Sequence, residues 1–331
     1  MSLFGSLYVG ASGLQTGQNA LNTTAHNLSN VDTKGYTRQQ TLLTDKNYNL
    51  LSVNPKAAAN QQTGLGVTYA DVRQVRDSFL DQKYRKESGR SAFYEVSYNT
   101  LGEVETLLGE LDGESFSESM NDLWEAVQEL AKQPASSVTQ GLLIQRASQF
   151  VEQAGNVYSA LSKYQDNLNN QIKGEVDQIN KYADRLFALN NEIIKIETGG
   201  IERANDLRDE RNQILDALGG YGNISYSEDW NGSVNVKYEG HTLVNATQVF
   251  KVGLDQDSDT GFYTPFWQGD AKKIPQENGT FRYDISNCKV FDLTREISTA
   301  CNTDIGSLKG MLVARGDHRA DYTDLQDADA Y

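Results

Sequence analysis

Leu7, Leu14, Leu21 and Leu28 recur every seven residues within a stretch, Met1 to Val31, that contains no Lys, Arg, Asp or Glu. Seven residues is close to two helical turns, so the four leucines share one stripe of a helix. One turn further on stand Ala11, Gln18 and Ala25, small or neutral groups beside the stripe. A solvated helix carries charge on its polar faces, and this one carries none. Gly5, Gly10, Gly13 and Gly17 each cost about 1 kcal/mol of helix propensity relative to Ala. Such a helix is marginal alone and needs neighbours, whose backbones the glycines allow to come close. A heptad stripe often marks the core of its own domain. The missing charge on every other face favours an assembly helix with protein on more than one side.

Asp32-Thr33-Lys34-Gly35 then supplies turn chemistry, with Gly35 suited to a left-handed position. Residues 39–76 form an Asn/Gln/Thr-rich connector, extended in part, with Val67, Tyr69 and Ala70 hinting at short strands. From Asp77 the pattern is helical. Phe79, Leu80, Tyr84, Tyr94, Val96, Leu101, Val104, Leu107, Leu108 and Leu111 mark a first long helix that ends near Asp112-Gly113. Ser115 is placed to cap a second, carrying Met120, Leu123, Trp124, Val127 and Leu130 and stopping before Pro134. A third runs from about Ala135 to Thr198. Its Ile172, Ile179, Leu186 and Ile193 again fall at sevens, a coiled-coil interval. At 1.5 Å per residue that helix spans roughly 90 Å. Gly199-Gly200 ends it, and a short helix, Ala204–Leu218, closes at Gly219-Gly220.

From Tyr221 the period changes to two. Ser233–Tyr238 alternates, Glu239-Gly240 turns and Thr242–Val244 returns, which predicts a hairpin. Gln248–Val252, Phe262–Trp267 and Phe281–Ile285 are further strand candidates, and the aromatic residues here fill a small β core. From Ile305, the residues Leu308, Met311, Leu312, Tyr322 and Leu325 predict a return to helix. The Asp-rich pattern up to Tyr331 has no stop signal and reads as a chain whose C-terminal part is missing. The expected fold is mainly α with a small β domain: an N-terminal assembly helix (1–38), an extended connector (39–76), a long antiparallel, coiled-coil-like helical bundle (77–220), an inserted β-rich outer domain (221–297) and a return helix (298–331).

Composition narrows the function. The net charge of −15 over 331 residues disfavours nucleic acid and anionic membranes as partners. No apolar run approaches the roughly 18–20 residues of a membrane span. The N-terminus lacks the basic region of a cleaved signal peptide. Cys288 and Cys301 belong to no metal-type cluster, and two ordinary thiols are favoured over a disulfide.

Enzyme chemistry finds no foothold. His26, His241 and His318 lie in three different predicted segments, without a metal or nucleophile motif. His241 reads as polar surface at a hairpin turn, and His26 could sense pH within an assembly interface. Asp255–Gly261 resembles the start of a calcium loop, but Thr260 replaces the required Gly and Phe266 the bidentate Glu, so a solvated loop is favoured. Asp206–Arg211 reads as ion pairs on a helix face. No catalytic residue, cofactor or metal ligand is assigned.

Several fixed polar residues at set spacing carry a resemblance. Ser12-Gly13-Leu14, Ala20-Leu21-Asn22, Ala25-His26-Asn27-Leu28-Ser29-Asn30 and Thr33-Lys34-Gly35-Tyr36-Thr37-Arg38-Gln39 together resemble the signature of the axial proteins of the bacterial flagellum, the rod, hook and hook-associated proteins. His26 departs from the small or amide residue expected there. Among these proteins, the Gly35–Gln39 ending, the long helical segment, Asn205–Arg211 and Ile305–Leu312 are most similar to the hook-associated branch that joins hook to filament.

The resemblance implies a structural, non-enzymatic, extracellular component. It implies export without a cleaved signal through the flagellar type III apparatus and assembly into a head-to-tail ring of copies of itself. Hook protein would lie on one side of that ring and the second hook–filament junction protein on the other. The residues placed in the assembly interface are Leu7, Leu14, Leu21, Asn22, Asn27, Leu28, Asn30, Gly35, Tyr36 and Arg38. In the family the N-terminal helix pairs with a C-terminal helix of the same chain, and no such helix is found in this sequence. The helix is therefore expected to be the least ordered part of the isolated chain. Two alternatives stand beside this reading. One is another axial protein, of hook or distal rod. The other is a secreted adhesin or binding module that holds its partner through Trp230, Phe262, Tyr263, Phe266 and Trp267.

Overall fold

The computed structural model describes residues 3–46, 49–52, 61–109, 115–200, 202–275, 281–321 and 324. The chain opens with α1 (Leu3–Ser29) and a polar ribbon of four strands, β1 (Gln39–Asp45), β2 (Asn49–Ser52), β3 (Gln61–Thr63) and β4 (Val67–Gln74). β1 and β4 are antiparallel, with Gln39 opposite Gln74, and β2 pairs with β3.

Three helices follow. In α2 (Ser78–Leu108), the Asp77 carboxylate caps the first turn by accepting from the Phe79 and Leu80 N–H groups, and Gly109 closes the end in a left-handed conformation. The helix therefore stops at Leu108, and the expected end at Asp112-Gly113 lies outside the described residues. Ser115 does cap α3 (Phe116–Lys132), its hydroxyl accepting from the Glu118 N–H. The long helix is α4 (Ser137–Glu197), 61 residues.

α5 (Asn205–Tyr221) corrects an expectation, because it runs straight through Gly219-Gly220. The reason is a close helix crossing. A Cβ on Gly89 of α2 would lie 2.4 Å from the Gly219 carbonyl, so glycine here serves packing and not termination.

β5 (Ile224–Glu228), β6 (Val234–Tyr238) and β7 (His241–Val244) form an antiparallel sheet in that order. β8 (Val252–Gln256) pairs with β9 (Tyr263–Trp267), and β10 (Lys272–Pro275) with β11 (Phe281–Asp284). The β6–β7 hairpin agrees with its period-two pattern. Gln248–Val252 is not a strand, however. The Asn245 side chain takes the Thr247 and Gln248 N–H groups in a turn, Val249 makes one isolated bridge to Val244, and the next strand starts at Val252. α6 (Ser307–Arg315) is the return helix, while Tyr322 and Leu325 lie outside the described residues.

The core is organised by the second half of α4. Leu168, Ile172, Val176, Ile179, Ala183, Leu186, Leu189 and Ile193 follow one another at threes and fours and are at most 3% exposed. Leu215 and Leu218 of α5, Leu308, Met311 and Leu312 of α6, and Val236, Tyr238, Leu243, Phe266 and Trp267 of the strands pack into the same cluster. Hydrophobic packing therefore continues across residue 220, and the strands do not form a core of their own. Each fully buried Leu or Ile contributes about 1.5–3 kcal/mol. Phe262, Phe266 and Trp267 are at most 3% exposed, so three of the five aromatics offered to a partner in the adhesin reading are core; Trp230 alone is fully exposed.

Three asparagines on α4 fasten the strands to it. Each side-chain amide both donates to a carbonyl in a strand or just before one and accepts from a strand N–H: Asn190 with Val234 (2.9 and 3.1 Å), Asn180 with Val252 (2.8 and 3.0 Å), and Asn169 with Gly261 and Tyr263 (3.1 and 2.8 Å). A primary amide presents the same donor–acceptor pair as a neighbouring strand, so strand groups facing the helix are satisfied without one. Cys288 is buried, Cys301 exposed, and both are free thiols. Asp257 accepts from the Asp259 and Thr260 N–H groups and closes the β8–β9 loop.

Candidate assembly surface

α1 is turned polar side in. Ser12, Thr16, Thr23 and Asn27 share one face, and that face lies on the ribbon. Ser12 and Thr16 are each 5% exposed. The Ser12 hydroxyl accepts from the Val67 N–H, and the Thr23 and Thr41 hydroxyls are 3.0 Å apart. Asn27 repeats the clamp seen on α4, donating to the Gln39 carbonyl and accepting from the Gln39 N–H, both at 2.8 Å. The Tyr36 hydroxyl also donates to Asn27 Oδ1 at 2.8 Å, and the Tyr36 ring meets His26 edge-on.

The opposite face carries the leucines, with Leu7 70%, Leu14 79%, Leu21 65% and Leu28 74% exposed. Sites for a Cβ on Gly10, Gly13 and Gly17 meet nothing within 4 Å. The stripe is not the core of this chain. Four large side chains on an uncharged helix leave an apolar face of the kind soluble monomers seldom expose.

The remaining residues of the signature shape the turn after α1. Asn30 donates to the His26 carbonyl and accepts from the Thr33 hydroxyl. Asn22 is exposed, and its side chain accepts from Gln18 of the same helix. Between the end of α1 and β1 lies a cleft of about 670 Å³. It brings together Asn27, Leu28, Tyr36 and Arg38, whereas Leu7, Leu14 and Asn22 lie away from it.

The sequence left one relationship unread: Gly35 and its neighbours dock on α5. Gly35 has φ +82°, and a Cβ there would fall 2.1 Å from Gln213 Nε2. The Thr37 N–H donates to Asp209 Oδ2 (3.2 Å) and Gln74 Nε2 to Asp209 Oδ1 (2.8 Å). Asn205 donates to the Val72 carbonyl, while its own carbonyl accepts from Gln74. Burial pushes the Asp209 carboxyl above its usual range, against the hydrogen bond from Thr37. Asp209, Asn205, Gln213 and Gln74 thus join the N-terminal unit to the helical body through polar contacts. Nothing in the spacing of the Asp206–Arg211 run points to β4.

The rest of that run forms ion pairs, as expected of a helix face. Arg208 bonds Glu197 (2.7 Å) and Glu228 (2.6 Å), and Arg185 bonds Glu210 (2.6 Å). His26, His241 and His318 fall on α1, β7 and the segment after α6, with no common site. Among the described residues no group of His, Cys, Asp and Glu has metal-site geometry, and no helix is long and apolar enough to cross a membrane.

Comparison with known proteins matches the two regions separately. A family model described as the flagellar hook-associated protein FlgK helical domain matches residues 101–281, and one described as flagella basal body rod protein matches residues 7–37. Flagellar hook-associated protein 1 of Bacillus subtilis is 29% identical over 232 residues, covering 70% of this chain and 45% of that protein. The protein of the same name from Salmonella typhimurium is 29% identical over 238 residues, covering 71% and 42%. The chain thus spans less than half the length of these curated relatives. Among solved structures, the flagellar hook junction protein FlgK from Burkholderia pseudomallei shares the fold, with a TM-score of 0.54 at 17% identity over 72% of this chain and 39% of that one. With the helical-domain model matching more than half of its residues, the chain belongs to the flagellar hook-associated protein FlgK family.

Proposed function

We propose that this chain is a structural subunit of the extracellular flagellum that assembles head-to-tail with copies of itself into the junction ring between hook and filament. There it acts as a mechanical adaptor and catalyses nothing. The observation that carries this reading is α1, an uncharged helix that docks its polar face on its own chain and leaves Leu7, Leu14, Leu21 and Leu28 open. A face of that kind is stabilised by burial against another protein surface. Asn27, Asn30, Gly35 and Tyr36 set the angle at which the helix is presented, and Asn22 and Arg38 are offered to the neighbouring subunit. Hook protein and the second junction protein are the proposed neighbours, and the type III export apparatus the proposed route, since a helix marginal alone threads through a channel easily.

Replacing Leu14 and Leu21 together by Asp tests the reading. Incorporation into flagella is expected to be lost while the dilute chain melts within about 1 °C of the parent, because neither side chain is buried there. A large loss of monomer stability would make the stripe an ordinary core and end the proposal.

A further inference from the structure

A recess of about 300 Å³ lies between β4 and the body, where α5 and β5 face the ribbon. Arg73, Arg76, Arg203, Arg208 and Arg211 line it together with Tyr226. Only two carboxylates, Asp81 and Glu228, share the lining, in a chain of net charge −15. Asp71, Glu197 and Asp216, just outside, pair with Arg203, Arg208 and Arg76.

Two of these arginines keep donor groups without a partner among the described residues. Arg73 is exposed and has no carboxylate partner among the described residues. Arg211 is 3% exposed. Its Nη1 donates to the Gly232 carbonyl at 2.6 Å and its Nη2 lies 3.4 Å from Glu228, which is held more closely by Arg208. Its Nε has no partner, and neither has the buried hydroxyl of Tyr226, which lines the same recess. Arg85, stacked 4.5 Å over the Tyr226 ring, adds an unpartnered Nη1 behind it. Buried donors without partners cost about 1–3 kcal/mol each. One unpartnered acceptor, Asn205 Oδ1, accompanies these three donors.

We infer that this recess is an oxyanion site, taking a carboxylate or phosphate group between the arginines of the ribbon and those of the body. An oxyanion offers several acceptor lone pairs to N–H and O–H groups that converge on it, and guanidinium binds it in preference to a spherical halide of the same charge. The ligand ties β4 to α5 and β5 in addition to the bonds that Asn205, Asp209 and Arg203 already make to β4. This assignment stands apart from the leucine stripe and does not depend on it. The group could be a soluble phosphate or an Asp or Glu side chain of a neighbouring subunit.

The test uses the whole chain. Titration calorimetry with inorganic phosphate, against chloride at matched ionic strength, is paired with phenylglyoxal labelling of Arg73 in dilute and assembled protein. Arg73→Gln and Tyr226→Phe are the variants, since neither side chain makes a bond that the unliganded fold needs. Saturable phosphate binding by the dilute chain, weakened about fivefold or more by each variant, supports a soluble ligand. Protection of Arg73 only on assembly, lost in Tyr226→Phe, supports a neighbour's carboxylate. Equal responses to phosphate and chloride, with Arg73 labelled alike in both states, would overturn the assignment and leave ordered water as the occupant.

Discussion

Asn27 and Gln39 exchange two hydrogen bonds of 2.8 Å, the side-chain amide of one answering the backbone N–H and C=O of the other. This contact fixes the end of α1 to the first residue of β1, and the Tyr36 hydroxyl adds a third bond to the same Asn27 oxygen. At about 0.5–1.5 kcal/mol per bond, Asn27→Ala is expected to cost about 2 kcal/mol of local stability. Hydrogen exchange at the Gln39 amide should quicken at least tenfold. The global melting temperature should barely move, because the ribbon contributes nothing to the main core.

The equivalent clamp on α4 behaves differently because it is buried. Asn190 is 2% exposed, and its partner Val234 is 3% exposed. Asn190→Ala strands an N–H and a C=O away from water, at about 1–3 kcal/mol each. Urea unfolding should therefore show a global loss of about 2–4 kcal/mol, where Asn27→Ala shows almost none.

Gly35 provides a paired test of the joint with α5. Its φ of +82° costs an L-residue about 1–2 kcal/mol, and the Gln213 side chain already fills the site a Cβ would need. Gly35→Ala should loosen the N-terminal unit, read as faster exchange at Thr37. Adding Gln213→Ala removes the clash but not the backbone strain, so rescue should be partial. Full rescue would mean that the left-handed conformation costs little here.

Stability should depend on pH through two carboxyls beside Tyr238. Burial pushes Glu175 up to about 7, against the hydrogen bond from Ser307, and Glu239 up to about 7, against the Asn223 N–H and Lys309. The unfolded value is near 4.5, so the folded state holds the extra protons between about 4.5 and 7. Stability therefore falls as pH rises through that window, by at most about 3 kcal/mol per group. His318, held up at about 9 by Asp324 and Asp317, acts with the same sign between 6.5 and 9. Comparing urea midpoints at pH 5 and pH 8, the parent should be more stable at pH 5. Glu175→Gln should remove roughly half of the Glu contribution; an unchanged difference would mean that Glu175 ionises freely.

Much of the helical frame was legible because it depends on period and caps. Ile172, Ile179, Leu186 and Ile193 announced the buried seam, Ser115 the start of α3, and Gly240 a hairpin turn. What stayed hidden were relations between distant segments. The leucine spacing in α1 gives the stripe but not which way it faces; that depends on Ser12, Thr16 and Asn27 finding strand partners up to 55 residues away. An Asn inside a helical run looks like a mild propensity penalty, so the four strand clamps had no local signature. Gly219-Gly220 resembled a stop because the helix that crosses there, α2, lies some 130 residues earlier. Asp209 looked like one more surface charge until β4 was in place beside it.

α4 enters the core only from Leu168 onward. From Ser137 it reaches Leu168 along an arm of about 45 Å at 1.5 Å per residue, and α3 accompanies the outer half of it, as far as the contact of Phe116 with Phe150. The part gripped from Leu168 to Ile193 is about 38 Å long. The helix is thus a lever with its fulcrum near Leu168 and Asn169. A sideways push on α3 reaches the sheet and α6 as rotation, through arms of nearly equal length, and neither helix has to break.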